Sequence, residues 1–162
     1  MEIFMWKRRI KTYVIAILIP LAVGGLAAFL TRNNMNLYAQ INKPPLAPPA
    51  IVFPIVWTIL YILMGVSSGR IWLKRGRNPE AAVDGLFTYG IQLFFNFFWS
   101  LFFFNLQEFF FAFLWLLILW GLILRMILQF RKVEGIAAVL QIPYLLWVTF
   151  AGYLNFMIYL SN

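Results

Sequence analysis

The sequence has no cysteine and no histidine among its 162 residues. The first absence excludes a disulfide framework and any thiolate chemistry, and the second removes every imidazole-based metal site and proton relay. Charge is scarce too, with 13 Lys and Arg and 5 Asp and Glu amounting to 11% of the chain. The acids Glu2, Glu80, Asp84, Glu108 and Glu134 all fall at or beyond the ends of apolar runs, so no carboxylate pair is set up for hydrolysis. The lack of an Asp, Glu or Lys deep inside those runs argues against an ion-coupled pump as well.

What the chain does have is apolar surface: 64% hydrophobic residues, 20% aromatic and a mean hydropathy of +0.85. Eighteen charged side chains cannot cover that much apolar surface in water, so the bilayer is the expected solvent. A helix needs about 20 apolar residues to cross roughly 30 Å of hydrocarbon. Five runs qualify, at 12–30, 51–73, 83–104, 109–128 and 135–160, and they predict an all-α membrane protein, a five-helix bundle over 1–162 in one domain.

Five crossings put the N-terminus and the second and fourth loops on one side. That side carries Lys7, Arg8, Arg9, Lys11, Arg70, Lys74, Arg75, Arg77, Arg125, Arg131 and Lys132, whereas the other holds only Arg32 and Lys43. Such asymmetry predicts an N-terminus inside, a C-terminus outside and a plasma or inner membrane. It also accounts for the net charge of +8 without nucleic acid, because basic loops on one face set topology and meet anionic lipid. The opening "KRRIK" and the apolar residues after it resemble a signal peptide, but the run exceeds a usual signal core and is read as an uncleaved span.

Polar and aromatic residues recur inside the spans at helical spacing. Gln92, Asn96, Trp99 and Phe103 share one face of the third, and Tyr144, Trp147, Ala151 and Asn155 one face of the fifth. Trp57, Tyr61 and Met64 make a third stripe in the second span. A carboxamide facing lipid would be unsatisfied, so these faces look inward, where Asn96 serves either as interhelical glue or as a ligand contact. Trp6, Trp72, Trp115 and Trp120 read as packing or interfacial anchors. Gly24, Gly25 and the G-x-x-x-G of Gly65 and Gly69 permit close helix approach, within one chain or between two. Before the second span, "NKPPLAPPAIVFPIVW" carries five of the eight prolines, a stiff lead into the membrane.

In order along the chain, "LYAQINKPPLAPP", "FPIVWTILYILMG", "QLFFNFFWSLFFF" and "PYLLWVTFAGYLN" resemble the translocator protein family, also called tryptophan-rich sensory proteins or peripheral-type benzodiazepine receptors. The resemblance implies a five-helix membrane bundle, often a homodimer, that binds porphyrins and haem, sterols in some members, and synthetic drugs. It places pocket aromatics at Trp57 and Trp147, the third-span amide at Asn96, the first-loop tyrosine at Tyr38 and a small fifth-span residue at Ala151. Tyr61, Trp99 and Ser100 complete the candidate lining, and Pro44, Pro45, Pro48 and Pro49 form a loop that lids it. Two places where the family often has aromatics hold Leu37 and Leu46, so the lid is less aromatic. The sterol pattern needs a base after a fifth-span tyrosine, and the last base is Lys132, so porphyrin is expected ahead of sterol.

Without His or Cys, only Tyr or Met remains to ligate haem iron, and an iron-free porphyrin fits better, its propionates within reach of Lys43 or Arg32. No cofactor or metal is required. Three functions stay open: a porphyrin-binding sensor or carrier, a light- and oxygen-dependent porphyrin-degrading enzyme using Trp57 and Trp147, and a structural membrane protein with a filled core.

Overall fold

The computed structural model describes residues 1–162, all helices and turns. The long helices are α1 (Glu2–Thr31), α3 (Val52–Leu73), α4 (Pro79–Ser100), α5 (Phe109–Val133) and α7 (Ile142–Ser161). Two short ones, α2 (Leu37–Gln40) and α6 (Gly135–Leu140), sit in the first loop and directly before α7. Five helical segments are long and apolar enough to cross a membrane, α6 and α7 forming the fifth together.

Helix ends depart from the apolar runs where charge stops the hydrophobicity but not the helix. α1 begins at Glu2 rather than Thr12, and α5 continues to Val133 rather than stopping at Leu128. Lys, Arg, Met, Glu and Gln are good helix formers and no proline or glycine interrupts either extension. α4 starts where Asn78 accepts from the Ala81 N–H at 3.2 Å and Pro79 takes the first turn. Its far end loosens into a π-helical turn over Leu101–Asn105, and the chain reverses through Gln107 at φ 53°. The expected fifth span is broken at Gln141, because Pro143 lacks an N–H and its ring crowds the Val139 carbonyl one turn back.

α1 packs along α3 through the glycines. A Cβ on Gly65 would strike the Ile17 backbone, one on Gly69 would lie 2.9 Å from the Tyr13 ring, and Gly24 receives the ring of Tyr61. The G-x-x-x-G therefore joins two helices of one chain. Met64, Ile71, Leu119, Ile123, Met126 and Phe130 fill the centre, all at 1% exposure or less. Val83, Phe87, Leu117 and Leu146 turn outward as a bilayer-facing surface.

The two ends of the bundle differ. At one, Arg70 pairs with Glu134, joined by Lys74 at 2.5 Å, and Arg125 pairs with Asp84 at 2.9 Å. Arg70 and Arg125 are thus fixed by acids of neighbouring helices. Burial pushes the Glu134 carboxyl up, but hydrogen bonding and charge from Lys74 and Arg70 outweigh it and hold the pKa below its ordinary value. At the other end, Asn34 donates to Asn105 at 2.7 Å, and Asn42 and Asn162 exchange bonds at 3.1 Å. First loop, third loop and C-terminus thus share one end, as five alternating crossings require.

Candidate functional site

The first-loop end of the bundle encloses a cavity of about 350 Å³ between α1, α3, α4, α7 and the lid. Helical spacing brings Trp57 and Tyr61 to it from α3, Asn96, Trp99 and Ser100 from α4, and Ala151 and Asn155 from α7. Tyr38 of α2 contributes from the lid. The fourth wall was not legible as a site. Gly25, Ala27 and Ala28 of α1 line it, and a Cβ on Gly25 would meet nothing within 4 Å, whereas Gly24 is filled by Tyr61. The "GGLAA" run was the available signal, and it reads equally as helix packing.

Hydrogen bonds fix the polar floor. The Tyr61 hydroxyl donates to Asn96 Oδ1 at 3.2 Å, Asn96 Nδ2 donates to the Tyr144 hydroxyl at 2.7 Å, and that hydroxyl donates to Gln92 Oε1 at 2.6 Å. Asn96 is therefore interhelical glue and cavity wall at once, with one N–H and one lone pair to spare. The Trp99 indole N–H donates to Asn155 Oδ1 at 3.0 Å, and Asn155 Nδ2 donates to the Phe109 carbonyl at 2.8 Å. Each amide on these faces is held by side chains of another helix, so the wall is preorganised.

Rings complete it. Trp57 stacks on Tyr61 at 5.6 Å and meets Tyr144 edge-on at 6.2 Å. Phe53, not singled out from the sequence, lines the cavity and stands edge-on to both Tyr38 at 5.1 Å and Trp147 at 5.8 Å. Trp147 is off the lining, half-buried behind Phe53, and its buried indole N–H has no hydrogen-bond partner. Met64 lies in the core beneath.

Pro44 and Pro45 also lie off the wall and shape the lid instead. Tyr38 donates to the Pro48 carbonyl at 2.5 Å, and Tyr153 of α7 donates to that of Pro45 at 2.9 Å. Burial raises the Tyr38 hydroxyl pKa, keeping it a neutral donor. Leu46, 81% exposed, turns the loop at φ 71°. Lys43 lies over the Tyr38 ring at 5.1 Å and donates to its carbonyl at 2.9 Å, while Arg32 is engaged with Phe29 of its own helix end. Lys43 is thus the base on the lid beside the lining. Nowhere do three or more Asp or Glu converge as metal ligands would.

Comparison with known proteins agrees with this architecture. The TspO/MBR family matches residues 16–160. The chain is 36% identical over 157 residues to the tryptophan-rich protein TspO of Chlorobaculum tepidum, covering 96% of this chain and 99% of that one. It is 35% identical over 146 residues to the translocator protein of Bos taurus, covering 90% and 86%. Protein CrtK of Rhodobacter capsulatus is 35% identical over 125 residues, covering 77% and 78%. Five apolar crossings, a lidded cavity with amide and indole groups on its wall, and these matches over nearly the whole chain make it an integral membrane protein that belongs to the TspO/MBR family.

Proposed function

We propose that this chain binds porphyrins in the lidded cavity, as a sensor or carrier of flat hydrophobic ligands. The observation that carries the reading is the cavity itself, about 350 Å³ with aromatic and small apolar walls and few polar groups. That size and lining suit a flat apolar ligand oriented by a small number of hydrogen bonds. Asn96 has bonding capacity left on the wall, and Lys43 on the lid supplies a cation for a propionate. A carrier or sensor needs no acid–base machinery, which agrees with the missing histidine and cysteine. The same reading has the N-terminus inside a plasma membrane, supported by the placement of the bases, and a homodimer, supported by the family resemblance alone.

The test is a dark titration of the detergent-purified chain with protoporphyrin IX, following tryptophan quenching. Saturable binding is expected, lost in Ala151→Trp, which fills the cavity, and retained in Trp147→Phe. No saturation at micromolar porphyrin overturns the reading. Trp57 on the wall is the observation that favours the photo-oxidative alternative. Light-dependent bleaching of the bound porphyrin that stops in Trp57→Phe, with binding kept, would transfer the assignment to an enzyme.

A further inference from the structure

The opposite end of the bundle holds a second concavity, of about 750 Å³, between the start of α1 and the end of α3. It exists because α1 extends past its apolar run. The close approach of α1 and α3 at Gly65 and Gly69 holds the two helices side by side, so Arg8 and Arg9 stand beside Arg70, Lys74 and Arg75. Five cations thus face one hollow, lined by no carboxylate. The only acid that reaches any of them is Glu134, and it already serves both Arg70 and Lys74. Arg75 lies over the Trp72 ring at 4.1 Å and donates to the Trp72 carbonyl, so its side chain is held in place. Arg8 and Arg9 have no ion-pair partner.

Convergent cations without a counter-charge are costly unless an anion joins them, and a guanidinium fork matches phosphate oxygens. Met5, Leu73 and Trp72 share the hollow with the bases, Met5 and Trp72 about half exposed. A soluble phosphate has no use for such a lip, whereas a phospholipid lays its acyl chains against it. The hollow also sits where the spans end, at the level of headgroup phosphates.

We propose that this basic hollow binds a phosphate-bearing anion, and that the phosphate is the headgroup of an anionic phospholipid in the adjacent leaflet. The site is separate from the porphyrin cavity and does not depend on it.

The test uses the full chain in detergent, with thermal unfolding and native mass spectrometry read against added phosphatidylglycerol, phosphatidylcholine or inorganic phosphate. Arg8→Gln/Arg75→Gln is compared with Arg131→Gln/Lys132→Gln, which removes equal charge from exposed positions at the same end but outside the hollow. Expected is saturable phosphatidylglycerol binding with stabilisation, roughly thirtyfold weaker in the first variant and nearly unchanged in the second. Phosphatidylcholine gives neither effect. Equal losses in both variants, or equal binding of both lipids, overturn the site. Saturation by inorganic phosphate without a response to phosphatidylglycerol keeps an anion site and overturns the lipid as its source. A lipid-free melt and circular-dichroism spectrum of the first variant matching wild type show that its fold is intact.

Discussion

Removing a single oxygen, in Tyr144→Phe, tests how the cavity floor is held. The Tyr144 hydroxyl is the hub: it accepts from Asn96 at 2.7 Å and donates to Gln92 at 2.6 Å. Hydrogen bonds between membrane helices average only about 0.6 kcal/mol, so counting two bonds predicts a loss near 1 kcal/mol. The geometry argues for more. Gln92 is fully buried and its Nε2 already lacks a partner, so the substitution leaves the whole carboxamide unpaired. An orphaned buried polar group costs about 1–3 kcal/mol, and at about 2–4 °C per kcal/mol for a chain of this size the melting temperature falls by several degrees. If the Gln92 orphan dominates, adding Gln92→Leu to Tyr144→Phe recovers part of the lost stability, because the unpaired carboxamide is gone and only Asn96 Nδ2 is left without its acceptor. Thermal melts of wild type, both single variants and the double in one detergent decide it. A double variant less stable than Tyr144→Phe refutes the argument and makes Gln92 a packing residue whose polarity is immaterial.

Glu134→Gln should destabilise by an amount between the roughly 1 kcal/mol of an exposed pair and the about 3–5 kcal/mol of a buried one, since Arg70 and Lys74 keep partial access to water. The Glu134 pKa is lowered on folding, so its contribution is complete above the ordinary 4.5 and disappears as pH falls through the folded value. Melts from pH 7 to pH 3 should show wild type and variant converging only at the acid end, and a constant gap would contradict this. Gly65→Ala should cost about 1–3 kcal/mol, because its Cβ meets the Ile17 backbone, which cannot yield. Gly90→Ala, with nothing within 4 Å, should be neutral or gain about 0.5–1 kcal/mol in the same melts. Tyr38→Phe removes the bond to Pro48, worth about 1 kcal/mol, and should speed porphyrin release about fivefold in stopped-flow quenching while lowering the melting temperature by only about 2–4 °C.

Five crossings, their alternation and the inward faces of α3, α4 and α7 were legible in the residue order, because hydropathy and a period of 3.6 act along one helix at a time. Trp57, Tyr61, Asn96, Trp99 and Ala151 meet at one cavity for that reason. The extent of α1 was not legible, since a charge that ends a membrane span does not end a helix. Trp147 shares its stripe with Ala151, yet Phe53 of another helix lies between it and Tyr38, and no spacing within α7 reports on a side chain of α3. Likewise, nothing near Glu134 in the chain signals Arg70 and Lys74, and nothing near Arg8 signals Arg75. Residue order alone sets the solvent, the number of crossings and which face of each helix is polar. The tertiary structure alone decided which residues share a pocket, which glycine packs and which opens, and which charges are paired, because these depend on distances between segments far apart in the chain.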